Sequence, residues 1–242
     1  MIAAVALLAL AQAPAFPFPR GFVAVGDDAA MAVPRALPAG PARVLVYFHG
    51  MLPRAATAAP ELSRLGREAT ARGLVLLALR GEQGLCDWSD EVKHHWCWPN
   101  GKRQLPQVGT TLSRLGVALA QASRLLGRPL EPPFIAGFSN GGFLAGLILS
   151  DTRLECRAVA IAHGGLLDGQ RFERGLPVPV LLLRATGDLF HGPRMAQLED
   201  ALRQAGHPAQ VVVRDGAHEL TQADARAVVD FFAGLPTPDA GR

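Results

Sequence analysis

A serine set among glycines is the first candidate for chemistry, in the sequence Gly137-Phe138-Ser139-Asn140-Gly141. The apolar residues 133–138 lead into it and the apolar residues 143–150 follow it, which predicts a sharp turn between a strand and a helix. Glycines in such a turn remove Cβ atoms that would collide, and the strained backbone exposes the serine oxygen at the positive end of the new helix. Ser139 is therefore predicted to be a nucleophile.

A serine hydroxyl is a weak nucleophile until a base takes its proton, so a histidine and an orienting carboxylate should follow in the chain. Two later apolar runs end in such groups, namely Asp188 and His218. We predict His218 as the base and Asp188 as the acid that orients it. Asp215 is an alternative acid, although it shares the short loop of His218.

Other histidines are also candidates. His163 ends a predicted strand, so it can lie at the same sheet edge, either as an alternative base or as part of the wall of a substrate pocket. His191 and His207 flank a predicted helix, and both are expected to be solvated.

Attack by a serine on a carbonyl also needs two N–H donors for the oxygen that becomes negative. The residue after the nucleophile, Asn140, supplies one candidate. The loop after the apolar residues 43–48 supplies another, because His49-Gly50 lets the chain turn back and present the N–H group of Met51. We predict Asn140 and Met51 as these oxyanion donors, with His49 as a brace of the loop.

The elements that must position these residues alternate between short apolar strands and longer helical patterns. Strands are predicted at residues 21–25, 31–33, 43–48, 74–79, 133–138, 157–162, 178–184 and 210–213, and helices at 57–72, 108–126, 143–150, 194–205 and 221–232. This alternation predicts an α/β fold, with a mostly parallel central sheet and helices on both faces. Since no repeat or linker divides the chain, residues 16–242 are predicted to form a single domain.

The chain resembles the α/β-hydrolase superfamily in its strand ending at His49-Gly50, its glycine-rich turn around Ser139, its Gly187-Asp188 strand end and its late His218. Within that superfamily, the Gly-x-Ser-Asn-Gly-Gly turn is most similar to secreted polyhydroxyalkanoate depolymerases and feruloyl esterases. The resemblance implies hydrolysis of small or oligomeric carboxylic esters through an acyl-enzyme, with no metal and no organic cofactor. A serine peptidase, an acyltransferase or a non-catalytic binding relative of the same fold are the alternatives.

The irregular residues 80–106 contain all three tryptophans, Trp88, Trp96 and Trp98, and begin where a predicted strand ends. Ligands bind at this edge of parallel sheets. The indoles are therefore candidates for the wall of a substrate pocket, and packing of the loop onto the domain is the alternative.

Cys86 and Cys97 bracket the same loop and are predicted to form a disulfide, as in many exported proteins. The alternative is a zinc site formed with His94 and His95, although this spacing matches no usual structural zinc pattern. Cys156 is predicted to be a buried free thiol.

Composition and the N-terminus limit the partners and the compartment. The formal net charge of +3 is scattered along the chain without a dense basic run, so a nucleic-acid partner is not expected. Residues 1–15 combine an apolar run too short to span a membrane with the small-x-small sequence Ala13-Pro14-Ala15. They are predicted to be a signal peptide, so the mature protein would be periplasmic or secreted, without stable membrane insertion.

Overall fold

The computed structural model describes residues 18–54, 56, 58–151, 154–173 and 177–236. The strands are β1 (Val23–Ala24), β2 (Ala29–Ala32), β3 (Val44–Phe48), β4 (Val75–Leu79), β5 (Phe134–Phe138), β6 (Ala158–Ala162), β7 (Val180–Ala185) and β8 (Ala209–Arg214). They form one sheet in the order β1-β2-β4-β3-β5-β6-β7-β8.

Six neighbouring strands of this sheet, from β4 to β8, run parallel, and the pairs β1–β2 and β2–β4 are antiparallel. The predicted mostly parallel sheet is confirmed. Strands β3 to β6 are buried along their whole length. A strand covered on both faces needs apolar side chains on both sides, which is why these segments are continuous apolar runs in the sequence.

In the described part of the chain, five α-helices cover the sheet: α1 (Ala59–Ala71), α2 (Leu105–Leu126), α3 (Asn140–Ser150), α4 (Gly192–Ala205) and α5 (Gln222–Ala233). The apolar side chains of α2, α3 and α4 pack in one core cluster, and those of α1 and α5 pack in a second cluster on the opposite face of the sheet. The predicted arrangement, with helices on both faces, is confirmed.

Two helices begin three residues earlier than the apolar pattern predicted. Helix α2 begins at Leu105 and α3 begins at Asn140, directly after Ser139. Pro106 fits the first turn of α2, where its missing N–H costs nothing, and the glycines at the start of α3 carry no apolar signal. The predicted signal peptide, residues 1–15, lies outside the described residues.

The parallel strands bring their carboxyl ends to one edge of the sheet. The segments that leave this edge hold the candidate residues after β3, β5, β6, β7 and β8. Among the described residues, no helix is both long and apolar enough to cross a membrane.

Candidate active site

Ser139 lies in the turn between β5 and α3, in a backbone conformation that few residues other than glycine adopt. Its angles are φ 53° and ψ −118°, and its N–H donates to the carbonyl of Ala162 over 2.8 Å. A Cβ atom on Gly137 or on Gly141 would collide with backbone oxygens of the adjoining segments. The turn therefore requires glycine at both positions, and it holds Ser139 at the edge of the sheet.

Ser139, His218 and Asp188 form a continuous line of hydrogen bonds. The Oγ atom of Ser139 lies 2.8 Å from Nε2 of His218, and Nδ1 of His218 lies 2.7 Å from Oδ2 of Asp188. An ionised carboxylate only accepts hydrogen bonds, so Nδ1 carries the imidazole proton and Nε2 accepts from the serine hydroxyl. The loops after β5, β7 and β8 thus bring these three side chains together.

Asp188 binds two further imidazoles. Nδ1 of His163 lies 2.8 Å from Oδ2, while Nδ1 and the backbone N–H of His191 lie 2.9 Å and 3.2 Å from Oδ1. Burial alone would raise the pKa of Asp188, but the hydrogen bonds from His218, His191 and His163 outweigh it and hold the pKa well below its usual range. Asp188 therefore stays ionised over the range in which histidines titrate.

His163 lies beside this carboxylate, at the end of β6. It has no exposed surface, its φ is 51°, and its Nε2 has no hydrogen-bond partner among the described residues. Burial lowers the pKa of His163, although the hydrogen bond to Asp188 opposes this. Because a fully buried ring cannot touch a substrate, the predicted pocket-wall role is corrected to that of a neutral donor to Asp188.

His207 is buried and the side chain of His191 is largely buried, contrary to the prediction that both are solvated. The ring of His191 stacks on that of His218, with centroids 4.2 Å apart and planes inclined by 15°. His207 is buried, and its Nδ1 accepts from the N–H of Val178 over 3.1 Å. In each case a hydrogen bond within the protein replaces water. The sequence signal for His191 was its place three residues after Asp188, a spacing that brings side chains together in a turn.

The loop after β3 brings Met51 into the same cavity as Ser139. Within the described part of the chain, the N–H of Met51 donates no hydrogen bond. Asn140 is the first residue of α3, so its N–H has no acceptor within the helix. Among the described residues neither N–H group has an acceptor, so both can donate to a ligand oxygen in this cavity.

His49 and Trp98 stabilise this loop through hydrogen bonds. Nε2 of His49 accepts from the N–H of Gly81 over 2.9 Å, and the indole N–H of Trp98 donates to the carbonyl of His49 over 2.8 Å. The side-chain amide of Asn140 accepts from the N–H of Trp98 over 2.7 Å and donates to its carbonyl over 3.2 Å. Trp98 therefore connects the loop after β3 to the first residue of α3.

A disulfide joins Cys86 and Cys97, whose Cα atoms are 6.0 Å apart. The disulfide leaves neither sulfur as a thiolate ligand, so the alternative zinc site is excluded. Since Cys97 directly precedes Trp98, the disulfide ties down the segment that braces the site. Cys156 is a half-buried free thiol, and burial raises its pKa to about 11.

A cavity of about 580 Å³ opens beside the hydroxyl of Ser139. The described residues that line it are Met51, Trp88, Asn100, Ser139, Asn140, Phe143, Leu167, Phe190, His191, Arg194 and His218. Of the three tryptophans only Trp88 belongs to this wall. Trp96 lies under the guanidinium of Arg80, and Trp98 is buried edge-on against Phe48. The wall prediction is therefore corrected to packing for Trp96 and Trp98.

The structure argues against two other roles at this site, namely Asp215 as the orienting acid and a metal ion bound by His163, Asp188 and His218. The carboxylate of Asp215 is exposed and accepts from the hydroxyl of Thr186 over 3.2 Å. The ligand atoms of His163, Asp188 and His218 lie within 4.8 Å of one another, close enough to share a metal ion. However, both Nδ1 atoms carry the protons that bind Asp188, so a metal would have to break these hydrogen bonds.

Comparison with known proteins finds solved structures of similar fold but no family with a matching sequence. No model of a protein family matches the sequence, and no curated protein matches it. A carboxylesterase from Bacillus cereus is 14% identical, with a TM-score of 0.62 over 84% of this chain and 92% of that chain.

Two other esterases have a similar structure. Esterase PE8 is 18% identical, with a TM-score of 0.61 over 84% of this chain and 95% of that chain. A carboxylesterase from Mesorhizobium loti is 22% identical, with a TM-score of 0.57 over 80% of this chain and 89% of that chain. At these identities the likeness establishes the fold, which is that of the α/β-hydrolases.

Proposed function

We propose that this protein of α/β-hydrolase fold is a serine esterase that cleaves carboxylic esters through an acyl-enzyme formed on Ser139. The observation that carries the proposal is the line of hydrogen bonds from Ser139 through His218 to Asp188, at distances of 2.8 and 2.7 Å. A nucleophile, a base and an orienting acid in this order are what acyl transfer requires.

In the proposed mechanism, Nε2 of His218 takes the hydroxyl proton as Oγ of Ser139 attacks the ester carbonyl. The tetrahedral oxyanion accepts hydrogen bonds from the N–H groups of Met51 and Asn140. His218 then gives its proton to the departing alcohol, and the acyl group stays on the serine. A water molecule, deprotonated by the same imidazole, releases the acid and restores the serine.

Asp188 would stabilise His218 in two ways during this cycle. Its carboxylate holds the imidazole with Nε2 facing the serine, and its negative charge offsets the positive charge that His218 gains. His163 and His191 supply further hydrogen bonds to the same carboxylate. These bonds fix the carboxylate's orientation, so that it can bind His218 without rearranging.

The substrate is proposed to be a small or oligomeric carboxylic ester. The cavity beside Ser139, about 580 Å³, falls in the size range of small-molecule sites. The named esterases among the similar structures support ester chemistry. The glycine-rich turn supports a likeness to secreted depolymerases and feruloyl esterases, and the Cys86–Cys97 disulfide supports an oxidising, extracytoplasmic compartment.

Hydrolysis of p-nitrophenyl esters of short and long acids, next to the corresponding p-nitroanilides, tests the proposal. The protein should cleave esters faster than anilides, and Ser139→Ala should abolish both reactions. Ser113→Ala is the matched control, because that hydroxyl is exposed on α2 and, among the described residues, bonds only the carbonyl of Gly109. Full turnover by Ser139→Ala would reject the nucleophile, and preferential cleavage of the anilides would favour a peptidase.

A further inference from the structure

Arg194 lies in the wall of the cavity beside Ser139. Among the described residues, no carboxylate forms an ion pair with Arg194 and no acceptor binds its guanidinium. Other arginines differ: Arg203 on the same helix pairs with Glu199 over 2.7 Å, and Arg72 pairs with Glu68 over 2.7 Å. The guanidinium of Arg194 is therefore available to a ligand in the cavity beside Ser139.

The position of Arg194 is fixed by its surroundings. Its backbone carbonyl accepts from the N–H of Leu166 over 3.1 Å. A Cβ atom on Gly165, whose φ is +154°, would lie 2.5 Å from the Cβ of Arg194. Only glycine lets the two segments approach this closely. The guanidinium carbon lies 5.7 Å from the ring centroid of Phe190, which lines the same cavity.

No described residue that lines the cavity carries a negative charge to balance this arginine. Its described lining residues include no aspartate and no glutamate. The nearby Asp188 is buried, and both of its oxygens are occupied by imidazoles. Arg194 is therefore the one permanently charged side chain among the described residues that line this cavity, and its charge is open to a ligand.

We propose that Arg194 binds a carboxylate on the substrate, so that the preferred esters are anionic. The planar guanidinium matches a carboxylate through two parallel hydrogen bonds, and such charge-assisted bonds are stronger than neutral ones. This inference rests on the proposed esterase function and specifies its substrate class. The carboxylate belongs to either the acyl part or the alcohol part of the ester, and each has its own arm in the test.

The test compares kcat/KM for matched anionic and neutral esters. The acyl arm uses the mono-p-nitrophenyl ester of glutaric acid against p-nitrophenyl pentanoate, and the alcohol arm uses p-acetoxybenzoate against its methyl ester. In at least one arm the anionic ester should be preferred by about tenfold, equivalent to about 1.4 kcal/mol. Arg194→Gln should remove that preference, because kcat/KM for the anionic ester should fall about tenfold relative to kcat/KM for the neutral ester.

Arg203→Gln is the matched control, since it removes the same charge from the same helix at a position that is paired and lies outside the cavity lining. It should keep the full preference. Equal preference in the wild-type, Arg194→Gln and Arg203→Gln proteins, or no preference for either anionic ester, would overturn the inference.

A binding measurement separates this inference from the esterase proposal. If neither the anionic nor the neutral esters are cleaved, the esterase proposal fails, and calorimetric titration with glutarate then tests Arg194 alone. Binding by the wild-type protein that Arg194→Gln weakens about tenfold would support the anion site, as this fold-change is a resolvable difference in affinity. Equal or absent binding in both proteins would reject it.

Discussion

Replacing His49 by glutamine is expected to make the stability of the protein less sensitive to acid. Burial lowers the pKa of His49 from 6.5 to about 4, although its hydrogen bond with the carbonyl of Gly50 acts in the opposite direction. In the unfolded chain the same imidazole titrates near its ordinary pKa of about 6.5. Between these two values, the unfolded state binds a proton that the folded state does not.

The magnitude follows from the two pKa values, because each unit of difference is worth about 1.4 kcal/mol. The titration of His49 lowers the free energy of unfolding by almost nothing above about pH 7, by about 2 kcal/mol at pH 5 and by about 3 kcal/mol at pH 4. Stability is therefore lost as the pH falls. The amide of His49→Gln removes this titration and retains an acceptor for the N–H of Gly81.

Urea denaturation at pH 7 and pH 5 measures this effect as the free energy of unfolding. The wild-type protein should lose about 2 kcal/mol more than His49→Gln between the two pH values. Trp98→Phe is the matched control, because it removes a hydrogen bond to the carbonyl of His49 without removing a titrating group. It should be less stable at both pH values but should keep the wild-type loss. An equal loss in all three proteins would refute the reasoning.

Two further predictions concern the acid and the disulfide. Asp188→Asn should lower kcat for a p-nitrophenyl ester by up to ~10⁴-fold, because the amide no longer orients His218. Asp215→Asn should leave kcat nearly unchanged, and the reverse ranking would refute the assignment of Asp188 as the acid. Reducing the Cys86–Cys97 disulfide, whose cysteines are 11 residues apart, should lower the free energy of unfolding by about 3 kcal/mol in the chain-entropy model. Calorimetry with and without reductant measures this loss, and an unchanged melting temperature would contradict it.

The mostly parallel sheet with helices on both faces could be predicted because each of these features has a local cause. Strands covered on both faces must be continuously apolar, and helices between them imply parallel pairing. The turn around Ser139 was predictable for a similar reason, since its backbone requires glycine at Gly137 and Gly141. The positions of Asp188 and His218 followed from the rule that functional loops leave the carboxyl ends of parallel strands.

What the sequence did not reveal depends on contacts between distant segments. His163 and His191 meet at Asp188 only because the ends of β6 and β7 are neighbours at the sheet edge, and His191 then stacks on His218. The side chain of Trp98 is buried because its indole N–H can donate to the carbonyl of His49. A residue's type and its neighbours in sequence do not determine such partners.

Labelling with a fluorophosphonate tests the central claim most directly, because this reagent phosphonylates a serine only where a base activates it. Mass spectrometry of the labelled wild-type protein should find one adduct, on the peptide that contains Ser139. The same adduct should form in Ser113→Ala and should be absent from Ser139→Ala. No adduct on the folded wild-type protein, or an adduct that persists in Ser139→Ala, would contradict the assignment of Ser139 as the nucleophile.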